Sequence, residues 1–155
     1  MTKVMKLSKS AEDAVIAQAL EILGKRVRKP GKVLSAPDIV VKYLKLKLAR
    51  LEHEVFGILF LDIKNKLIAD KVMFTGSHTH TAVYPREVIK EALRLNAAFV
   101  ILYHNHPSGD VTPSPGDLLL TKGLTSGLST VDIKVVDHII VAGTSTFSFQ
   151  QGGLI

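Results

Sequence analysis

The chain of 155 residues is long enough for one domain with a single buried core, and 46% hydrophobic with 22% charged residues is an ordinary globular composition. It contains no cysteine, which excludes disulfide frameworks and thiolate zinc sites and leaves histidines and carboxylates to hold any metal. The net charge of +6 sits in the front third: residues 1–50 carry 12 Lys and Arg against four Asp and Glu, whereas residues 51–155 carry eight against ten.

Ser10-Ala-Glu-Asp13 reads as a helix cap with acids in the first turn, and Val15, Ile16, Ala19, Leu20 and Leu23 recur at helical spacing, so a first helix is expected from about residue 10 to Gly24 or slightly beyond. Pro30 and Gly31 break it, and Ser35 is placed to cap a second helix over about 37–50. Residues 1–50 thus form a basic two-helix extension, with the core domain spanning 51–155. Its charge suits either a solvated helical face, the preferred reading, or a nucleic-acid surface.

From Glu54 the pattern becomes strand-like: "EVFGILFLD", a turn at "IKNK", and "LIADKVMF" returning as a hairpin partner. Pro85 opens a helix, "PREVIKEALRLN", with Val88, Ala92, Leu93 and Leu95 on one apolar side. "AAFVILYHNH" is a buried strand, Ser114-Pro115 starts a helix over about 115–128, and "VDIKVVDHIIVAG" and "STFSF" close the chain as strands. This order predicts a mixed α/β fold with a central sheet. The apolar runs fall far short of the about 20 residues of a membrane span. No signal-peptide core follows the N-terminus, and a soluble, cytoplasmic protein with no membrane partner is expected.

The stretch "HNHPSGDVTPSPGD" carries the chemistry. Side chains at i and i+2 of a strand share a face about 7 Å apart, so His104 and His106 can reach one ion. Asp117, eleven residues beyond His106 and in the first turn of the next helix, can swing to the same point. Two imidazoles and a carboxylate leave a tetrahedral position for water, the form expected of catalytic zinc. Asn105 should point to the opposite face. Taken alone, Asp117 reads first as a cap residue below Ser114, and the histidines as a polar strand end.

"HNHP" followed by "SPGD" resembles the signature of the JAMM (JAB/MPN) metalloproteins, and "PREVIKEALRLNAAFVILYHNHPSGDVTPSPGD" resembles their RadC branch, over roughly residues 50–155. The helix-hairpin-helix region of longer RadC proteins has no evident counterpart. The resemblance implies a JAB/MPN (cytidine-deaminase-like) fold, a curved mixed β-sheet flanked by helices. It also implies one Zn2+ per chain on His104, His106 and Asp117, with water as fourth ligand. It makes Glu54, in "EVFG", the general base, with Glu52 as a rival on the same strand face, and Ser114 the stabiliser of a tetrahedral intermediate.

The expected activity is zinc-dependent hydrolysis of amide, peptide or isopeptide bonds in a protein or peptide substrate. The alternatives are a DNA-associated or non-catalytic module using the basic N-terminal region and, third, a metal-dependent nuclease. A second His-x-His, His78 and His80 with Glu91 eleven residues on, imitates the spacing, but it lacks the proline and the serine and is read as loop, with a rim or accessory-metal role as the alternative. Asp137-His138 reads as a turn or bulge whose side chains satisfy each other, with a role in orienting the site as the minority reading.

Overall fold

The computed structural model describes residues 6–29, 36–77 and 81–155. Helices α1 (Lys9–Val27) and α2 (Pro37–Leu48) precede the hairpin β1 (Val55–Leu61) and β2 (Leu67–Thr75). Then come α3 (Pro85–Arg94), β3 (Phe99–Asn105), α4 (Pro115–Ser129), β4 (Lys134–Ala142) and β5 (Ser145–Ser148). The strands form one sheet in the order β2-β1-β3-β4-β5. All neighbours are antiparallel except β3 and β4, whose parallel pairing requires the crossover that α4 provides. The expected mixed α/β order is therefore present. Among the described residues no helix is long and apolar enough to cross a membrane.

One helix boundary differs from expectation. Ser8, not Ser10, caps α1, its hydroxyl accepting from the Ala11 N–H at 3.3 Å. The helix ends slightly beyond Gly24, at Val27, as expected. A Cβ at Gly24 would stand in ordinary contact, 3.6 Å, with the Tyr43 ring and 2.8 Å from the flexible end of the Arg28 side chain. α2 starts at Pro37 behind Ala36, which lends no side-chain bond. The Ser35 cap falls outside the described residues.

Strand alternation divides the core between the sheet's two faces. On one, Leu59, Leu61, Ile101 and Tyr103 pack with Tyr43, Leu44 and Leu48 of α2. On the other, Phe56, Ile58, Val100 and Leu102 pack against Val88 and Ala92 of α3 and Leu124 and Leu128 of α4. Leu93, expected on the apolar side of α3, is 53% exposed. It follows Ala92 by one residue, about 100° further round the helix.

A polar cluster ties α2 to the first face. Lys47 Nζ donates to Asp70 and to the Tyr103 hydroxyl, each at 2.7 Å, and Tyr103 donates to Asp70 at 2.5 Å. Tyr43 donates to the same carboxylate. Tyr103 crosses β1 at Gly57, where any Cβ would lie 2.1 Å from its ring. The hairpin turn is held by Asp62, whose carboxylate accepts from the Lys64 and Lys66 N–H groups at 2.8 and 2.9 Å.

Candidate metal centre

His104 lies near the end of β3, facing the α3 and α4 side, opposite Phe56 of β1 and Ile140 of β4. Its side chain is 2% exposed. His106 extends the strand by donating its backbone N–H to the Val141 carbonyl at 2.9 Å. The chain then reverses through Gly109, at φ 85°, before α4. α4 opens with a capping box: Ser114 Oγ accepts from the Asp117 N–H at 3.1 Å, and Asp117 Oδ2 accepts from the Ser114 N–H at 2.7 Å. Cap and ligand, the two readings of Asp117, are thus compatible in one side chain.

The Nε2 atoms of His104 and His106 stand 2.9 Å apart. Asp117 Oδ1 is 3.2 Å from the first and Oδ2 3.2 Å from the second. The far nitrogens are engaged elsewhere. His106 Nδ1 lies 2.7 Å from the Asp110 carbonyl, an acceptor only, and so donates to it. His104 Nδ1 lies 2.8 Å from His138 Nε2. With the Nδ1 atom of each ring protonated, two ring lone pairs and a carboxylate would converge on one point, a donor set that suits a cation. A divalent metal with a preference for imidazole and carboxylate fits this donor set.

The electrostatics agree. Burial pushes the Asp117 carboxyl upward, but the two imidazoles facing it outweigh that and hold it well below the usual carboxylate range. Asp117 raises the His106 pKa against the opposing effect of burial. His138, completely buried and beside His104, is pushed well down and stays neutral.

A cavity of about 590 Å3 opens over these atoms, and Glu54, Ser114, His104, His106 and Asp117 all line it. Glu54 precedes β1; its N–H donates to the Ser77 carbonyl at 3.0 Å, and its own carbonyl accepts from Gly76 and Thr81. Its rival Glu52 is exposed and is not part of the cavity lining. Sequence reasoning missed what holds Glu54 in place. Asn105 faces away from the two imidazoles, as expected, and its side-chain oxygen accepts from the Val55 N–H at 2.8 Å while its amide donates to the His53 carbonyl at 2.9 Å. It grips the residues on either side of Glu54. The available signal was a carboxamide at a buried strand position, a group that must find partners.

His78 and His80 lie outside the described residues. Glu91 is bound by Lys71 at 2.5 Å and Arg94 at 2.7 Å. Asp137 and His138 occupy the middle of β4, beside a register shift between Val135 and Asp137, so the bulge reading holds and the mutual pairing of their side chains does not. Asp137 accepts from the backbone of His138 and Gln150 and from the Ser148 hydroxyl, securing β5. The His138 ring turns instead toward His104 and Thr121.

Residues 34–154 match the RadC-like JAB domain. The chain belongs to the RadC-like JAB domain family. The UPF0758 protein YeeS of Escherichia coli (strain K12) is 46% identical over 144 residues, covering 93% of this chain and 97% of that protein. A UPF0758 protein of Vibrio cholerae serotype O1 is 47% identical over 142 residues, covering 92% and 89%. One from Janthinobacterium sp. (strain Marseille) is 50% identical over 123 residues, 79% of this chain but 55% of that longer protein. The five-stranded mixed sheet with helices on both faces is consistent with a JAB/MPN-like fold in this RadC-like protein.

Proposed function

We propose that this RadC-like JAB domain protein is a zinc-dependent hydrolase of amide bonds, peptide or isopeptide, in a protein or peptide substrate. The observation that carries the reading is the convergence of His104 Nε2, His106 Nε2 and Asp117 on one point with both imidazole Nδ1 atoms facing other partners. One zinc ion per chain is the expected occupant, supplying Lewis acidity that lowers the pKa of a polarised water to about 7. Glu54, at the cavity wall and outside the ligand set, takes the proton of the attacking water and delivers it to the leaving amine. Ser114 Oγ receives the Asp117 N–H, leaving its own O–H to donate to the oxyanion that develops at the attacked carbonyl. The cavity lining contains Glu54, Asp110 and Asp117 and, among the described residues, no lysine or arginine. That favours an amide over a phosphodiester, whose charge such walls repel.

Metal analysis of three purified proteins tests this reading. The wild type should hold about one zinc per chain, His106→Ala should lose it, and Glu54→Ala should keep it. A wild-type stoichiometry near zero ends the metal reading. Against peptide and isopeptide substrates Glu54→Ala should lose about 10²–10⁴-fold in rate, and undiminished turnover would remove Glu54 from its role.

A further inference from the structure

His138 does not itself line the cavity, yet it is a wholly buried imidazole in the middle of a strand. Its two ring nitrogens join the ends of a chain that begins and finishes at the ligands. His104 Nδ1 is 2.8 Å from His138 Nε2; His138 Nδ1 is 2.6 Å from Thr121 Oγ1; Thr121 Oγ1 is 2.6 Å from the carbonyl oxygen of Asp117. The ring plane is fixed by Phe149 stacked at 4.6 Å and by Phe56 edge-on at 5.7 Å.

The proton positions along this chain follow from its last link. Two oxygens 2.6 Å apart need a hydrogen between them, and a carbonyl has none to give, so the Thr121 hydroxyl donates to Asp117. Having spent its only hydrogen, Thr121 Oγ1 can only accept from His138, whose proton is therefore on Nδ1. A neutral imidazole carries one N–H, and a charged one enclosed by Thr121, His104 and two phenyl rings would pay a large desolvation penalty. His138 Nε2 is then a bare lone pair that accepts from His104 Nδ1–H, leaving His104 Nε2 unprotonated toward His106 and Asp117.

We propose that His138 and Thr121 are positioning residues that lock His104 in the tautomer able to ligate a metal, through a relay that ends on the backbone of Asp117, itself a ligand in the reading above. The proposal rests on that reading. The opposite tautomer of His138 would place a proton on His104 Nε2, where the metal has to sit. The relay also couples the seating of α4 on β4 to the aim of the imidazole on β3.

Two measurements test it on the zinc-loaded protein of 155 residues. Two-bond proton–nitrogen NMR correlation of histidine-labelled wild type should show both His104 and His138 protonated on Nδ1. A His138 proton on Nε2 overturns the proposal. Thr121→Val, nearly isosteric, should weaken zinc binding about 10–100-fold in a chelator competition and disturb the His138 tautomer signature, while Thr121→Ser, which keeps the hydroxyl, should retain both. A folded Thr121→Val protein that binds zinc as tightly as wild type refutes the relay and leaves the metal site standing. Failure of the wild type to take up zinc removes both.

Discussion

Asn105 sits between His104 and His106, and its worth can be measured apart from theirs. Replacing it by alanine strands the Val55 N–H and the His53 carbonyl that its side chain satisfies. Asn105→Ala should therefore cost about 1–3 kcal/mol, read as a lower urea midpoint at unchanged slope, with His104 and His106 still present for zinc. Asn105→Asp should not rescue it, because an oxygen would then face the His53 carbonyl. Gly57 is a second residue with no substitute. A methyl group there overlaps the Tyr103 ring at 2.1 Å, and Gly57→Ala should destabilise by about 1–3 kcal/mol or more through overpacking.

Between elements, the link of α3 to the edge strand β2 is electrostatic. Arg94 and then Lys71 hold the Glu91 carboxyl at about 2, below its ordinary value of 4.5. A carboxyl lowered by folding adds stability above its unfolded pKa, and that contribution disappears as pH falls through 4.5 toward 2. Arg94 and Lys71 are 59% and 39% exposed, so after solvent screening the contribution is about 1 kcal/mol. Glu91→Gln should lower stability by that amount at pH 7 and make no difference near pH 2, as followed by thermal unfolding across pH. Much of this level was legible in the sequence. The apolar runs of β1 and β3, the Pro85 and Pro115 helix starts and the Ser114 cap lie where local signals put them. What local signals leave open is tertiary. Ser8 and Ser10 both precede an acidic first turn, and Gly24 lies inside the helix, which ends at Val27. A polar pair inside "KVVDHIIVA" resembles a break, because only the facing α4 supplies Thr121 as the partner of His138. Likewise Glu54 is separated from His104 by fifty residues, and only the pairing of Phe56 with His104 brings it to the cavity wall.

For the molecule as a whole, α2 shares its core with the sheet. Leu44 is completely buried in the same cluster as Leu59 and Tyr103. Leu44→Ala should cost about 2–5 kcal/mol, and the amide protons of α2 should exchange as slowly as those of β3; much faster exchange in α2 would mark it as a separable unit. The ligand set has a different geography. His104, His106 and Asp117 fall within one stretch of fourteen residues, whereas Glu54 arrives from the segment just before β1. A loop of about ten residues closes in tens of nanoseconds, so, on the reading proposed above, the three side chains can meet on one ion before any sheet exists. A metal ion that also bound the unfolded chain would stabilise the native state by less than its native affinity alone would give. In exchange the ion can act as a nucleus, joining the end of β3 to the start of α4 early, with β1 docking afterwards. Refolding rates measured with and without zinc would reveal that order of events.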